Sequence, residues 1–446
     1  MKKISLGIFF KKLGQWAGEG WYFQDDPSSK DRVRLLGFNY SANIITNLIG
    51  GSFFTGLLIL MNASDSFMGA MTMITTGANL LQLVAPLLLE RFEKRRTLIV
   101  WLRALSMLFN ILFIGIIPLF PMASQAKLVL VAFSVLMANL SAAVVAPALT
   151  VWHLQSIPSR VRNQYFSLIS MTVGAVVALM NLGASRLVDF CREAGSEYVG
   201  LLILRGICLI LAVVESWNLF HIREYAYERS EQRFTLKYLL LEPFHQPKYL
   251  KTVLVAFLWN MTCNLPGPYF TVYMLKNMSV SYTYLMLINL INVPVIMFLT
   301  PIWSRIVRRF SWFKSLYLAM GLYLLYYVGL AFVTPSAPAL YPIAQIYSFC
   351  MMAGISLCFT NVPYVNIPQK NQTVYIGFYS TMANLGALLG VTIGQQFIAY
   401  TEEWTINLLG VTMINKQILM LLTALLMLGA TLAIRCIQKS LGSEEC

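Results

Sequence analysis

The chain has 446 residues, 58% of them hydrophobic and only 12% charged, with a formal net charge of +14. Its mean hydropathy is +0.66, and soluble domains carry roughly 25% charged residues, so a soluble globular protein is excluded. The seven cysteines lack metal-ligand spacing, and no His/Asp/Glu cluster or nucleotide-binding glycine loop stands out. An enzyme, a metal and a cofactor are therefore not expected.

Residues 1–37 hold Ile4, Leu6, Ile8, Phe9, Phe10, Leu13 and Trp16 among four lysines, a pattern suited to an amphipathic segment on the inner membrane surface. Apolar runs of about 20 residues, enough to cross roughly 30 Å of hydrocarbon, then recur to the end of the chain. They predict helices near 38–62, 66–89, 97–120, 127–152, 165–188 and 199–222. A polar, charged stretch at 223–250 reads as a cytoplasmic linker, with 234–241 as a short surface helix. A second set follows near 251–275, 281–303, 313–335, 339–362, 373–399 and 416–438, ahead of a tail at 439–446.

The fold class expected is an all-α membrane protein: twelve transmembrane helices arranged as two pseudo-symmetric six-helix bundles, 38–222 and 251–438. With both termini inside, 27 of the 33 Lys and Arg fall on inner segments and 5 on outer ones. That bias sets a multi-pass topology in the cytoplasmic membrane with cytoplasmic termini. It also accounts for the basic charge through the lipid bilayer, without nucleic acid.

Asn43, Asn47, Gly50 and Phe53 in the first span recur 217 residues later as Asn260, Asn264, Gly267 and Phe270. Met61, Ser64 and Phe67 repeat at the same offset as Met278, Ser281 and Tyr284. The pattern implies tandem duplication. Asparagines four apart share one helix face, and amides within an apolar span need a polar partner or a water-filled cavity.

The loop after the second span carries Glu90, Arg91, Lys94 and Arg95, and the loop after the eighth carries Ser304, Arg308, Arg309 and Ser311. These loops, with two groups of six helices and a basic linker, resemble the major facilitator superfamily and its Gly-x-x-x-Asp-Arg-x-Gly-Arg-Arg signature. Glu90 stands for the Asp; Arg308 replaces it in the second half, which departs from a symmetric ion-pair scheme. The resemblance implies alternating access, with Glu90, Arg91, Lys94, Arg95, Arg308 and Arg309 at an inner gate.

Transporters of this kind bind substrate near the membrane midplane between the halves. The substrate-facing candidates are Asn43, Asn47, Gly50, Asn260, Asn264 and Gly267, with Tyr40, Trp259, Tyr269 and Tyr273 as aromatic faces. Helix packing by the same amides is the alternative. Asn139, Asn289, Asn292, Gln345 and Asn384 are further candidate liners, and Gly386, Gly390 and Gly394 form a small-residue packing face. Glu215 is the carboxylate within a span and Arg205 lies ten residues before it. Glu215 is a candidate carrier of H+ or Na+, or else half of an ion pair that locks helices. The expected function is secondary active transport of a small neutral or weakly charged organic solute by a monomer. A multidrug exporter of amphipathic compounds and a non-transporting membrane sensor are the alternatives.

Overall fold

The structure is a computed structural model that describes residues 26, 28–85, 92, 95–157, 159–224, 241–362, 366–367, 372–408 and 410–441. The amphipathic N-terminal segment and the middle of the linker lie outside the described residues. Helices account for nearly all of what remains. The first half comprises α1 (Ser28–Ile49), α2 (Gly51–Leu60), α3 (Asp65–Asn79), α4 (Arg96–Met107), α5 (Ser124–Ser156), α6 (Ser159–Glu193) and α7 (Glu197–His221). The second half comprises α8 (Pro247–Asn264), α9 (Tyr269–Val272), α10 (Tyr282–Leu290), α11 (Asn292–Phe310), α12 (Trp312–Ala331), α13 (Leu340–Asn361), α14 (Gln372–Tyr400) and α15 (Asn415–Leu441).

Among the described residues, ten helical stretches are long and apolar enough to cross a membrane. The second and seventh spans complete the twelve but are interrupted: α3 passes into a 3-10 turn at Leu80–Leu83, and α8 breaks after Asn264. Two features differ from the sequence reading. The first helix begins at Ser28, ten residues before the expected start. Its polar opening turns are buried, with Asp31 and Arg32 fully enclosed and Tyr165 Oη donating to Arg32 O, so tertiary partners replace the apolar signal that hydropathy needs. The loop before the last span contains a two-stranded hairpin, β1 (Thr405–Leu408) paired antiparallel with β2 (Val411–Ile414). Gly410, at φ 79°, supplies the left-handed turn position that joins them.

The duplication is visible in the packing. Within the first half α1 packs on α6, α3 on α5, and α4 on both α5 and α7. The second half repeats these pairs as α8 on α14, α11 on α13, and α12 on both α13 and α15. The connections repeat as well. Asn62 and Ser279, 217 residues apart, both adopt positive φ (55° and 52°). Two residues later Ser64 and Ser281 cap α3 and α10, accepting from Phe67 N and Tyr284 N. The halves meet along two seams, α3 against α14 and α6 against α10. A pseudo-twofold that exchanges the halves also exchanges these seams.

Candidate functional site

The repeated asparagines bond along their own helices. Nδ2 of Asn43 donates to Asn39 O at 2.8 Å and Nδ2 of Asn47 to Asn43 O at 2.9 Å. Asn260 and Asn264 donate in the same way to Ala256 O (2.9 Å) and Asn260 O (2.8 Å). Each amide is thereby anchored one turn back, which fixes where its carbonyl oxygen points. Asn43 and Asn47 are exposed, whereas Asn260 and Asn264 are half-buried. Asn181 of α6 reaches Asn47, with its Nδ2 3.4 Å from the Asn47 oxygen.

Just past these ladders both spans break at corresponding points. Gly50 separates α1 from α2, which opens at Gly51 (φ 49°), and Gly267 (φ 45°) separates α8 from α9. A side chain at Gly51 or Gly267 would be strained in the left-handed region. In the seventh span Pro266 and Pro268 also remove two amide hydrogens that would have continued the helix. Gly50 lies inside the first break, where a Cβ would meet Thr46 O at 2.6 Å.

A cavity of about 280 Å³ opens beside the second break. Pro266, Gly267 and Phe270 line one side, Asn289 another, and Tyr323, Tyr326 and Tyr327 with Tyr341 and Gln345 the far wall. Ser52 from the first half also reaches it. Tyr326 Oη donates to Gln345 Oε1 at 3.2 Å. Among the described residues no charged side chain lines the cavity.

The aromatic wall is braced from behind. Trp259, buried, packs on Tyr323 with ring centroids 5.8 Å apart and stacks on Phe359 at 5.6 Å. Phe270 stacks on Tyr341 at 5.7 Å.

Other sequence candidates sit elsewhere. Tyr273 is buried and its hydroxyl donates to Val333 O at 2.8 Å, so it ties the seventh span to the end of α12. Tyr269 is fully buried against Gly69, and Tyr40 packs beside Ile157 and Tyr165. Asn289 and Gln345, second-rank in sequence, are on the cavity wall. Asn139 instead donates to Val135 O on its own helix. Tyr323, Tyr326, Tyr327 and Tyr341 were not singled out, although three tyrosines within five residues of an apolar span are a legible signal.

The embedded charges lie away from the cavity, inside the first half. Glu215 is fully buried and paired with Arg103 of α4, whose guanidinium also lies 5.8 Å from the Phe38 ring centre. This is the ion-pair alternative considered for Glu215. Arg205 donates to Asn110 O at 2.6 Å, within the π-helical turn Leu108–Phe113 that follows α4. A π turn leaves a carbonyl out of the regular ladder, and Arg205 supplies its donor. Of the inner-gate candidates, Glu90, Arg91 and Lys94 lie outside the described residues. The Arg95 amide donates to Glu224 Oε1. Arg308 and Arg309 are exposed, with Arg309 over the Phe310 ring at 5.6 Å.

At the end remote from the termini the halves are clasped together. Asp65, the first residue of α3, accepts from Lys276 at 3.0 Å and from Lys416 at 2.6 Å, both from the opposite half. Burial alone would raise the Asp65 carboxyl, but hydrogen bonding and charge from Lys416, then from Lys276, hold it below its ordinary value. Beside it, Gln395 Nε2 donates to Ser66 Oγ at 2.8 Å. Across the other seam, Asp189 of α6 accepts from Tyr282 N (2.9 Å) and Thr283 N (2.7 Å), capping α10 with an anion from the partner half. Two tyrosines of the second half fill glycine sockets in the first. A Cβ on Gly56 would lie 1.7 Å from the Tyr282 hydroxyl, and one on Gly69 1.8 Å from that of Tyr269.

Two pseudo-symmetric helical bundles, an uncharged cavity beside a broken helix and a seam clasped at one end define a membrane transporter rather than an enzyme. The family model described as Major Facilitator Superfamily matches residues 40–391. The chain belongs to the major facilitator superfamily and is a secondary transporter. A search of curated sequences gave no match. Among solved structures, the nucleoside transporter NupG is 10% identical with a TM-score of 0.64, over 92% of this chain and 99% of that one. A bacterial homologue of the iron transporter ferroportin in its inward-facing state is 14% identical with a TM-score of 0.68, over 92% and 98%. The outward-facing state of a bacterial ferroportin homologue gives 0.55 at 15% identity, over 92% and 99%.

Proposed function

We propose that the protein carries a small uncharged organic solute across the cytoplasmic membrane by alternating access. The observation that carries this reading is the uncharged cavity of about 280 Å³ set against the break in the seventh span. Pore-lining irregular backbone is tolerated at membrane depth only where it meets protein or a water-filled path. With both termini cytoplasmic, as the Lys and Arg bias argues, the clasped end is the outer one and the molecule rests inward-facing. The higher TM-score to the inward-facing ferroportin homologue, 0.68 against 0.55, supports that state.

The solute path also passes Asn43, Asn47, Asn260 and Asn264, which lie outside the lining of the cavity itself. Their carbonyls are oriented by the helix bonds described above, and Asn43 and Asn47 are exposed. Glu215 acts as a structural ion-pair partner of Arg103 rather than as a carrier of H+ or Na+, because it is enclosed in the first half away from the cavity.

The test is counterflow in proteoliposomes across a panel of uncharged solutes, repeated with and without H+ and Na+ gradients. Transport of one class, lost in Asn47→Ala or Asn264→Ala protein of unchanged melting temperature, supports the reading. Absence of counterflow across the panel would turn the reading toward a non-transporting sensor.

A further inference from the structure

The cavity wall carries chemistry beyond its lack of charge. We propose that the solute is built on a flat heteroaromatic ring with hydrogen-bond donors and acceptors around its edge, of nucleobase or nucleoside size; this rests on the transport reading above.

The ring faces come first. Tyr323 and Tyr326 of α12 lie with centroids 5.2 Å apart, and Tyr327 stands edge-on to Tyr323 at 5.4 Å. On the same wall, Tyr341 of α13 packs against Phe270 and Tyr284 at 5.7 and 5.9 Å. These rings, held by their neighbours, form an aromatic wall that needs little reordering when a planar molecule stacks on it.

The polar groups come second. The asparagines of the repeated motif bond back along their own helices, but the side chain of Asn289 makes no hydrogen bond among the described residues. Gln345 accepts from Tyr326 through Oε1, and its Nε2 likewise has no acceptor among the described residues. A primary amide presents a donor and an acceptor side by side, which matches the lactam or amidine edge of a heteroaromatic ring. Asn289 and Gln345 line the same cavity from α10 and α13, so the edge is read while the faces stack.

Competing cargoes fit less well. An organic ion would need an opposite charge on the wall. A divalent metal would need carboxylate or imidazole ligands, and among the described residues no group of three His, Cys, Asp or Glu could hold one. The volume, about 280 Å³, is near the lower end of the roughly 300–1,000 Å³ usual for small-molecule sites, which disfavours bulky amphipathic drugs.

The experiment is equilibrium binding of tritiated uridine and tritiated adenosine to the purified full chain in detergent, with unlabelled uracil, adenine, D-xylose, D-glucose, benzoate and choline as competitors. The expected result is saturable nucleoside binding displaced by the free bases and not by sugars or ions. Tyr341→Ala and Asn289→Ala should each weaken it about tenfold or more, while Tyr341→Phe keeps it, which separates ring loss from misfolding. Sugar binding without nucleoside binding would overturn the ring proposal and leave the transport reading standing, as would counterflow of a sugar alone in the panel above. Nucleoside binding indifferent to Tyr341→Ala and Asn289→Ala would overturn the site. Nucleoside binding with no counterflow of any solute would keep the ligand class but remove the transport reading.

Discussion

Arg103 and Glu215 illustrate how a charged residue inside a membrane span can be structural. Glu215 is wholly enclosed and its second oxygen has no hydrogen-bond partner among the described residues, so removing Arg103 would strand a buried charge. Arg103→Ala is expected to cost about 3–5 kcal/mol of stability, whereas Arg103→Leu with Glu215→Leu recovers most of it. Thermal denaturation of the three proteins in one detergent checks this. Uptake by the double variant that kept its gradient dependence would place ion coupling elsewhere; loss of that dependence at normal stability would restore Glu215 as the carrier. From sequence, Glu215 stood out because it is a carboxylate in an apolar run. Its partner did not, because Arg103 read as one more inner-side basic residue. The site was legible to a similar degree. The asparagine repeat has a period and can be counted, while Tyr323, Tyr326, Tyr327 and Tyr341 converge only through the packing of α12 on α13. Conversely Trp259, Tyr269 and Tyr273 have the right chemistry and depth, but side-chain direction turns them into packing.

The seventh and eleventh spans show what small residues contribute to an element. Gly386, Gly390 and Gly394 of α14 lie directly on backbone carbonyls of the seventh span. A Cβ at each would stand 2.5, 2.1 and 2.0 Å from Phe257 O, Met261 O and Leu265 O respectively. The two helices thus approach closely enough for Cα–H to carbonyl contacts. Gly390→Ala has no flexible side chain to displace, only backbone, and is expected to destabilise by about 1–3 kcal/mol. Gly377→Ala on the same helix meets nothing within 4 Å and is expected to be neutral or slightly stabilising. Equal melting temperatures for the two variants would contradict this packing. The four-residue glycine spacing was readable in sequence because it is local. The early start of α1 and the hairpin Thr405–Ile414 were not, since both depend on partners distant in sequence or on one turn position.

At the scale of the molecule, duplication explains the architecture and the clasp explains its resting state. Offsets of 217 residues relate the asparagine ladders, the positive-φ turns and the serine caps, and the helix breaks at Gly51 and Gly267 match to within one residue. The contacts that hold the halves together do not repeat residue by residue. Asp65 grips two lysines at one seam, and Asp189 caps a helix at the other.

Because the Asp65 carboxyl is depressed in the clasped state, the clasp is fully formed above the ordinary value of 3.8 and is lost only as pH falls through the lower clasped-state value. The resting state is therefore expected to be insensitive to pH across the neutral range. Asp65→Asn should loosen it across the neutral range, and Gly69→Leu should block it by filling the Tyr269 socket. Spin-label distances between α3 and α14 at that end report both. Distances in the Asp65→Asn protein that matched wild type would mean the carboxylate does not hold the seam.

Under alternating access, solute crosses only when this clasped seam opens. The direct measurement is proteoliposome counterflow by the Ser66→Cys/Gln395→Cys protein, at the positions bridged by a 2.8 Å hydrogen bond, before and after a short cleavable thiol crosslinker. Wild type treated identically controls for the native cysteines. The expected result is counterflow abolished in the crosslinked variant and restored on cleavage. Counterflow that persists in fully crosslinked protein would contradict alternating access at this seam.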